Sequence, residues 1–157
     1  MMVVLVVLAI APSANASTIQ AYRWQLIFAI NKTRHTHGLA PVHHAPGLDK
    51  AAQGHSADMV ARHYFGHTSP DGSGLRTRVE RTGWTRRRPE WVLAENLAWG
   101  TGSRATTQAI VDAWMHSPPH RANLLRKNLR RAGFGVVAGT PNAGANGVTV
   151  TLDLGSR

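Results

Sequence analysis

The side chains best placed for chemistry lie in three short stretches. In Trp114–Leu125, WMHSPPHRANLL, His120 stands just inside a predicted helix start. Ser117 occupies the N-cap position, and Pro118 and Pro119 are the first two helical residues. The prolines remove two of the donors that a helix start leaves unpaired. The next N–H belongs to His120, and the Ser117 hydroxyl is expected to accept it, which would fix the backbone of His120 at a helix end that favours anions. In Phe65–Gly72, FGHTSPDG, His67 falls between an aromatic expected to be buried and a Ser-Pro-Asp-Gly turn, and Asp71 is explained as a turn former. In Trp91–Gly100, WVLAENLAWG, extended alternation puts Trp91, Leu93, Glu95, Leu97 and Trp99 on one face. A carboxylate on an apolar face needs a partner or takes up a proton. Glu95 therefore either meets a histidine or a metal at a cleft or serves as a structural carboxylate holding loop N–H groups.

The other histidines have plainer readings. His55 shares a helical face with Leu48, Ala51, Ala52 and Met59, which suits a satisfied core histidine better than a ligand. His63 and His67 have the i,i+4 spacing of a metal pair, but Gly66 between them should end the helix. His43 and His44 are adjacent on a predicted loop, Ala40–Pro46, and point apart.

These residues need elements to hold them. The spacing predicts a first helix from Ser17 or Thr18 to about His37, with Tyr22, Leu26, Ile27 and Ile30 on one face and Gly38 as its stop. A second helix runs from Leu48 to about Tyr64. A short one spans Leu75–Arg81 with Leu75 and Val79 inward, and the basic run Arg86–Arg88 after it is expected to be exposed. Another helix starts at Thr106 or Thr107 with Ile110, Val111 and Trp114 inside, and the Pro118 helix turns Leu124 and Leu125 inward. Gly133–Ala138 and Val148–Leu154 read as strands joined by a flexible loop, Gly139–Gly147. In the last strand, alternation predicts Val148, Val150, Leu152 and Leu154 buried and Thr149, Thr151 and Asp153 wet. Helices first and a hairpin last indicate an α+β layered fold.

A chain of 157 residues, 43% hydrophobic, is one domain with a core that buries about two thirds of the unfolded surface. With no cysteine, a disulfide framework, a thiolate metal site, a cysteine nucleophile and a lipid-modified cysteine are excluded. Residues 1–16, MMVVLVVLAIAPSANA, read as a secretory signal peptide cut before Ser17. The usual basic n-region is missing, as if the natural start lay further upstream. The apolar run is too short for a membrane span, which needs about 20 residues. The expected mature chain, 17–157, keeps the formal charge of +10, which favours encounter with anionic polymers or lipid. No recognition motif points to nucleic acid.

Several runs, in this order, resemble the CAP superfamily, or SCP domain, in a short cysteine-free bacterial form. They are Asn31-Lys32-Thr33-Arg34 with Gly38-Leu39, Ala57-Asp58-Met59, Phe65 to Gly72, Arg78 to Gly83, Glu95-Asn96-Leu97-Ala98, Trp114 to Leu125, and Gly133-Phe134-Gly135-Val136. The resemblance implies a three-layer α-β-α sandwich with a cleft where two histidines and two acids can hold a divalent metal. His67 and His120 match the histidines and Glu95 one acid. The other acid would fall near His116 and Ser117, where this chain has none.

Two imidazoles and one carboxylate could hold Zn²⁺ with an open position, or work as an acid–base set without metal. The expected function is a secreted, monomeric binding module. Its His67/Glu95/His120 cleft would take a metal or small ligand, and its cationic surface an anionic envelope polymer or lipid. The alternative is a hydrolase of an extracellular polymer, with the histidines holding metal or moving protons and Glu95 as base or orienter. A serine hydrolase is not expected, because Ser117 and Ser69 have cap and turn roles and no G-x-S-x-G elbow occurs.

Overall fold

The structure, a computed structural model, describes residues 16–86, 90–142 and 146–156. The proposed signal segment up to residue 15, Arg87 and Arg88, and the middle of the predicted 139–147 loop lie outside them. Five helices and a four-stranded sheet follow in the order α1 (Ala16–Thr36), β1 (His43–His44), α2 (Pro46–Ala61), α3 (Leu75–Arg81), β2 (Leu93–Gly100), α4 (Thr107–His116), α5 (Pro118–Leu124), β3 (Arg131–Ala138) and β4 (Val148–Gly155). A 3₁₀ turn, Gly102–Ala105, precedes α4. The sheet order is β1-β3-β4-β2, with β3 and β2 antiparallel to β4. Helix α2 covers one face, and α1 and α4 with α5 the other, which gives the α-β-α sandwich.

On the α1/α4 face the core is apolar. Leu26, Ile30, Ile110, Val111 and Trp114 meet Phe134, Val136, Val150, Leu152 and Leu154. On the other face, α2 lies against the backbone of β3. A Cβ on Gly133 or Gly135 would fall well inside contact distance of the Leu48 or Ala52 backbone, so only glycine fits there.

Two expectations change here. The predicted loop at His43 and His44 is a two-residue strand, pairing in parallel with Arg131 and Ala132 of β3. Both histidines are exposed as expected, and His44 is bonded to Asp49. Nor is the second face of β4 wet, for Thr149, Thr151 and Asp153 are fully buried. Strand β4 is internal in the sheet, and α2 roofs the face that alternation assigned to solvent. Ser56 of α2 donates to Thr151 Oγ1 at 2.8 Å, and Thr149 donates to the Gly139 carbonyl at 2.9 Å. Polar alternation marks a solvent face only when no second layer covers it.

Candidate functional site

The site is built around β2, an edge strand, whose successive residues Glu95 and Asn96 face opposite layers. Glu95 points into the α2 side with its side chain only 2% exposed. Its Oε1 accepts from His67 Nδ1 at 2.8 Å and its Oε2 from Arg78 Nη2 at 2.6 Å. His55 lies 3.9 Å from Oε2 and donates to the Gly66 carbonyl at 2.9 Å. Arg78 Nη1 also donates to the carbonyls of His67 (3.0 Å) and Ser73 (2.9 Å). One guanidinium thus fixes both the carboxylate and the backbone that carries His67.

That backbone begins where α2 stops at Ala61, earlier than Tyr64, and His63 takes a left-handed φ of 54°. The His63 ring meets the Pro141 carbonyl while His67 turns to Glu95, so their i,i+4 spacing makes no pair. The Ser69–Ser73 turn closes as predicted, with Gly72 N–H on the Ser69 carbonyl at 2.8 Å and Ser73 N–H on Asp71 at 2.9 Å. Phe65, expected to be buried, is 47% exposed. His67 is therefore oriented by Arg78, Glu95 and the turn, not by an apolar wall.

On the other face of β2, Asn96 donates to the His120 carbonyl at 3.0 Å and accepts from Asn123 Nδ2 at 2.9 Å. Buried Trp114 donates its indole N–H to the Leu97 carbonyl at 2.9 Å. These bonds seat α5. Ser117 stands at the N-cap with Pro118 and Pro119 following, but its hydroxyl makes no capping bond. Ser117 is also the last residue of the α4 turn, its N–H on the Trp114 carbonyl, and its own carbonyl takes the Arg121 N–H at 2.8 Å. The backbone closes the start of α5, and Asn96 supplies the anchor assigned to the serine.

The fields around the three residues differ. Burial opposes ionisation of Glu95, but the His67 bond and the Arg78 charge outweigh it and hold the carboxyl below its usual range. The Glu95 bond raises the pKa of His67, against the effect of burial. Burial lowers that of His120, helped by the charge of His67 across the cleft. His55 is lowered by burial, with Glu95 opposing. A fifth group is Asp153, paired in register with Glu95 across the β2–β4 ladder and fully buried. Neither of its oxygens has a donor. Burial and the Glu95 charge push its pKa far up, which favours its neutral form.

The structure thus brings His67 and Glu95 into direct contact and sets His120 near enough to feel the His67 charge. It adds Arg78, Asp153 and His55, which the sequence reading does not place at the site. Arg78 had a signal: it lies three residues after Leu75 and one before Val79, within the inward stripe of α3. Asp153 had none, since the register that pairs it with Glu95 is a tertiary fact.

Both oxygens of Glu95 are engaged, whereas the Nε2 of His67 makes no hydrogen bond among the described residues and its side chain is 59% exposed. No group of three or more His, Cys, Asp or Glu side chains is gathered for a metal among those residues. The nearby imidazoles are His67, with Glu95 standing behind it, and His120, close enough to feel the His67 charge. Such a set can take a metal whose other ligands come from solvent, the carboxylate fixing the tautomer of its histidine.

Comparison with known proteins agrees with this fold. The model of the CAP, or cysteine-rich secretory protein, family matches residues 27–153. An uncharacterized protein of Bacillus subtilis, YkwD, is 31% identical over 121 residues, which are 77% of this chain and 44% of that relative's length. Among solved structures, an extracellular SCP-domain protein of Bacillus anthracis superposes with a TM-score of 0.75 at 24% identity, over 89% of this chain and 42% of that one. An outer surface protein of Borrelia burgdorferi gives 0.71 at 19% identity, over 88% and 94%. No helix among the described residues is long and apolar enough to cross a membrane. With the His67 turn, the Glu95-Asn96 strand and the His120 helix all inside the matched span, the chain belongs to the cysteine-rich secretory protein family, although it contains no cysteine.

Proposed function

We propose that this protein is a secreted binding module whose His67–His120 cleft holds a divalent metal or a small ligand, with an anionic envelope polymer or lipid as its larger partner. The observation that carries this reading is the state of Glu95. Both its oxygens are committed, one to His67 and one to Arg78. Its work is to hold and orient the His67 imidazole from behind, while Arg78 fixes its other oxygen. His67 and His120 would hold the metal, most simply Zn²⁺, and the bound ion would supply a Lewis acid at the cleft. The formal charge of +10 supports an anionic partner, and the extracellular and outer-surface descriptions of structural relatives support secretion.

The test is a calorimetric zinc titration of metal-stripped protein, beside the His67→Ala/His120→Ala variant. One saturable site that disappears in the variant supports the reading. No binding, or binding that survives the double change, overturns the metal site.

A second reading, an acid–base hydrolase of an extracellular polymer, draws support from the opposed shifts of the two imidazoles. His67 is held toward its protonated form and His120 toward its neutral form, as an acid and a base would be. Measured release of fragments from purified cell-wall polymer, lost in His120→Ala with the fold intact, would favour it over simple binding.

A further inference from the structure

Beside Arg78 and His55, α2 and α3 and the 69–73 turn line an open pocket of about 340 Å³. Neither His67, Glu95 nor His120 lines it. The volume is at the small end for ligand pockets, which run from ~300 to 1,000 Å³. Its walls are largely apolar, and the polar side chains among them are already partly organised. Tyr64 donates to Asp58 at 2.6 Å and lies 2.9 Å from the Ser69 oxygen, and Asp71 is held by the Ser73 N–H. At the rim, Lys50 and Arg81 are exposed and make no hydrogen bond or ion pair among the described residues. At the base, Arg78 is 8% exposed, and its Nε is buried without an acceptor although its other nitrogens are all but spoken for by Glu95 and two carbonyls. A buried guanidinium donor with no acceptor is a deficit that a bound oxygen would relieve.

We propose that this pocket is a second binding site, for a single anionic sugar unit. Lys50 and Arg81 hold its carboxylate or phosphate at the rim, while Asp58, Asp71 and Ser69 take its hydroxyls. Asp58 is already paired with Arg62 at 3.3 Å, so the two rim cations, facing Asp71, suit one negative charge set among hydroxyl groups. A polyanion would meet both aspartates as well, and a neutral sugar would leave both cations unused. The two sites share Arg78 and His55 as supports, but the side chains proposed to hold the sugar are not those proposed to hold the metal.

The probes are glucuronate and glucose 6-phosphate, with glucose and inorganic phosphate as comparators, titrated into ¹⁵N-labelled protein and followed by amide shifts. Saturable shifts for both anionic sugars are expected at residues 50, 69–73 and 81. Affinity should fall at least about tenfold in Lys50→Ala/Arg81→Ala, whose altered side chains are exposed and whose spectrum reports the fold directly. Glucose and phosphate should each bind at least about tenfold more weakly than glucose 6-phosphate. Equal binding of glucose, equal binding of phosphate, indifference to the double variant, or no saturable shift into the millimolar range would each overturn the proposal.

Discussion

The two faces of the sheet use the same three long strands and are held in opposite ways. Toward α1 and α4, Leu152, Leu154, Val150 and Phe134 pack on Leu26, Ile110 and Trp114 with scarcely a polar atom between them. Toward α2, the neighbouring residues of the same strands are Thr149, Thr151, Asp153 and Glu95, all buried, and their bonds run to Ser56, His67 and Arg78. The first face is held by apolar area, which tolerates local repacking. The second joins a smaller apolar cluster, Leu48, Ala51, Val79 and Trp84, to a chain of charges and donors in which each member needs the next.

The largest effects should come from breaking each face at its centre. Arg78→Met leaves the Glu95 carboxylate buried without its guanidinium and with only His67 bonded to it, and is expected to cost about 3–5 kcal/mol in urea unfolding at neutral pH. Leu152→Ala, on the apolar face, should cost a similar ~2–5 kcal/mol. The two separate with pH. In Arg78→Met, Glu95 can take up a proton, so the loss should shrink as pH falls toward about 4, whereas the Leu152→Ala loss should not move. Equal pH dependence would mean that Arg78 acts by packing alone.

Next in size is Gly135→Ala. The added methyl meets the Ala52 backbone, so α2 must shift, for roughly 1–3 kcal/mol measured as a loss of thermal stability. Because α2 carries His55, the same variant should also disturb the His67 amide signal, which Leu152→Ala should leave in place.

Asp153→Asn should stabilise. Asp153 is neutral in the folded chain and ionises readily when unfolded, so it costs stability once pH exceeds the ordinary aspartate value of about 3.9. Asparagine can donate to Glu95 without that cost. The gain over wild type should appear above about pH 4 and grow by roughly 1.4 kcal/mol per pH unit until the native carboxyl ionises. A gain that stays flat with pH would mean that Asp153 is charged in the native protein.

The smallest contrast lies in two caps. Thr106 accepts the Ala109 N–H at 3.2 Å, so Thr106→Ala should cost ~1 kcal/mol, while Ser117→Ala should change stability by less than about 0.5 kcal/mol. A Ser117 loss as large as the Thr106 loss would show the serine capping α5 in solution.

What could be read from the chain follows from the same contrast. Local rules reach local features. The Leu75–Arg81 helix, the Ser69–Gly72 turn, a helix start at Thr106 or Thr107, and Glu95 as a carboxylate on an apolar strand face were all legible. The prolines beside His67 and His120 marked both imidazoles. What was missed depends on layers. Thr151 and Asp153 look wet until α2 is known to lie above them, and the ladder step that sets Glu95 beside Asp153 exists only in the paired sheet. Ser117 has the composition of a cap, but a strand-borne amide, Asn96, does the anchoring. Arg78 was within reach, because a charged residue on an inward helical stripe is as informative as a carboxylate on an apolar strand.

The seating of α5 and α4 on β2 has one more effect. β2 is the outer strand of the sheet, where unsatisfied main-chain groups invite the strand of another molecule and lead to aggregation. Here the Leu97 carbonyl is taken by the Trp114 indole, and the Glu95 carbonyl lies 3.4 Å from the Asn123 amide. The contacts that bring His120 to the cleft therefore also block that border of the sheet, so a chain that lost its hold on α5 would be expected to become prone to self-association as well as to lose its cleft.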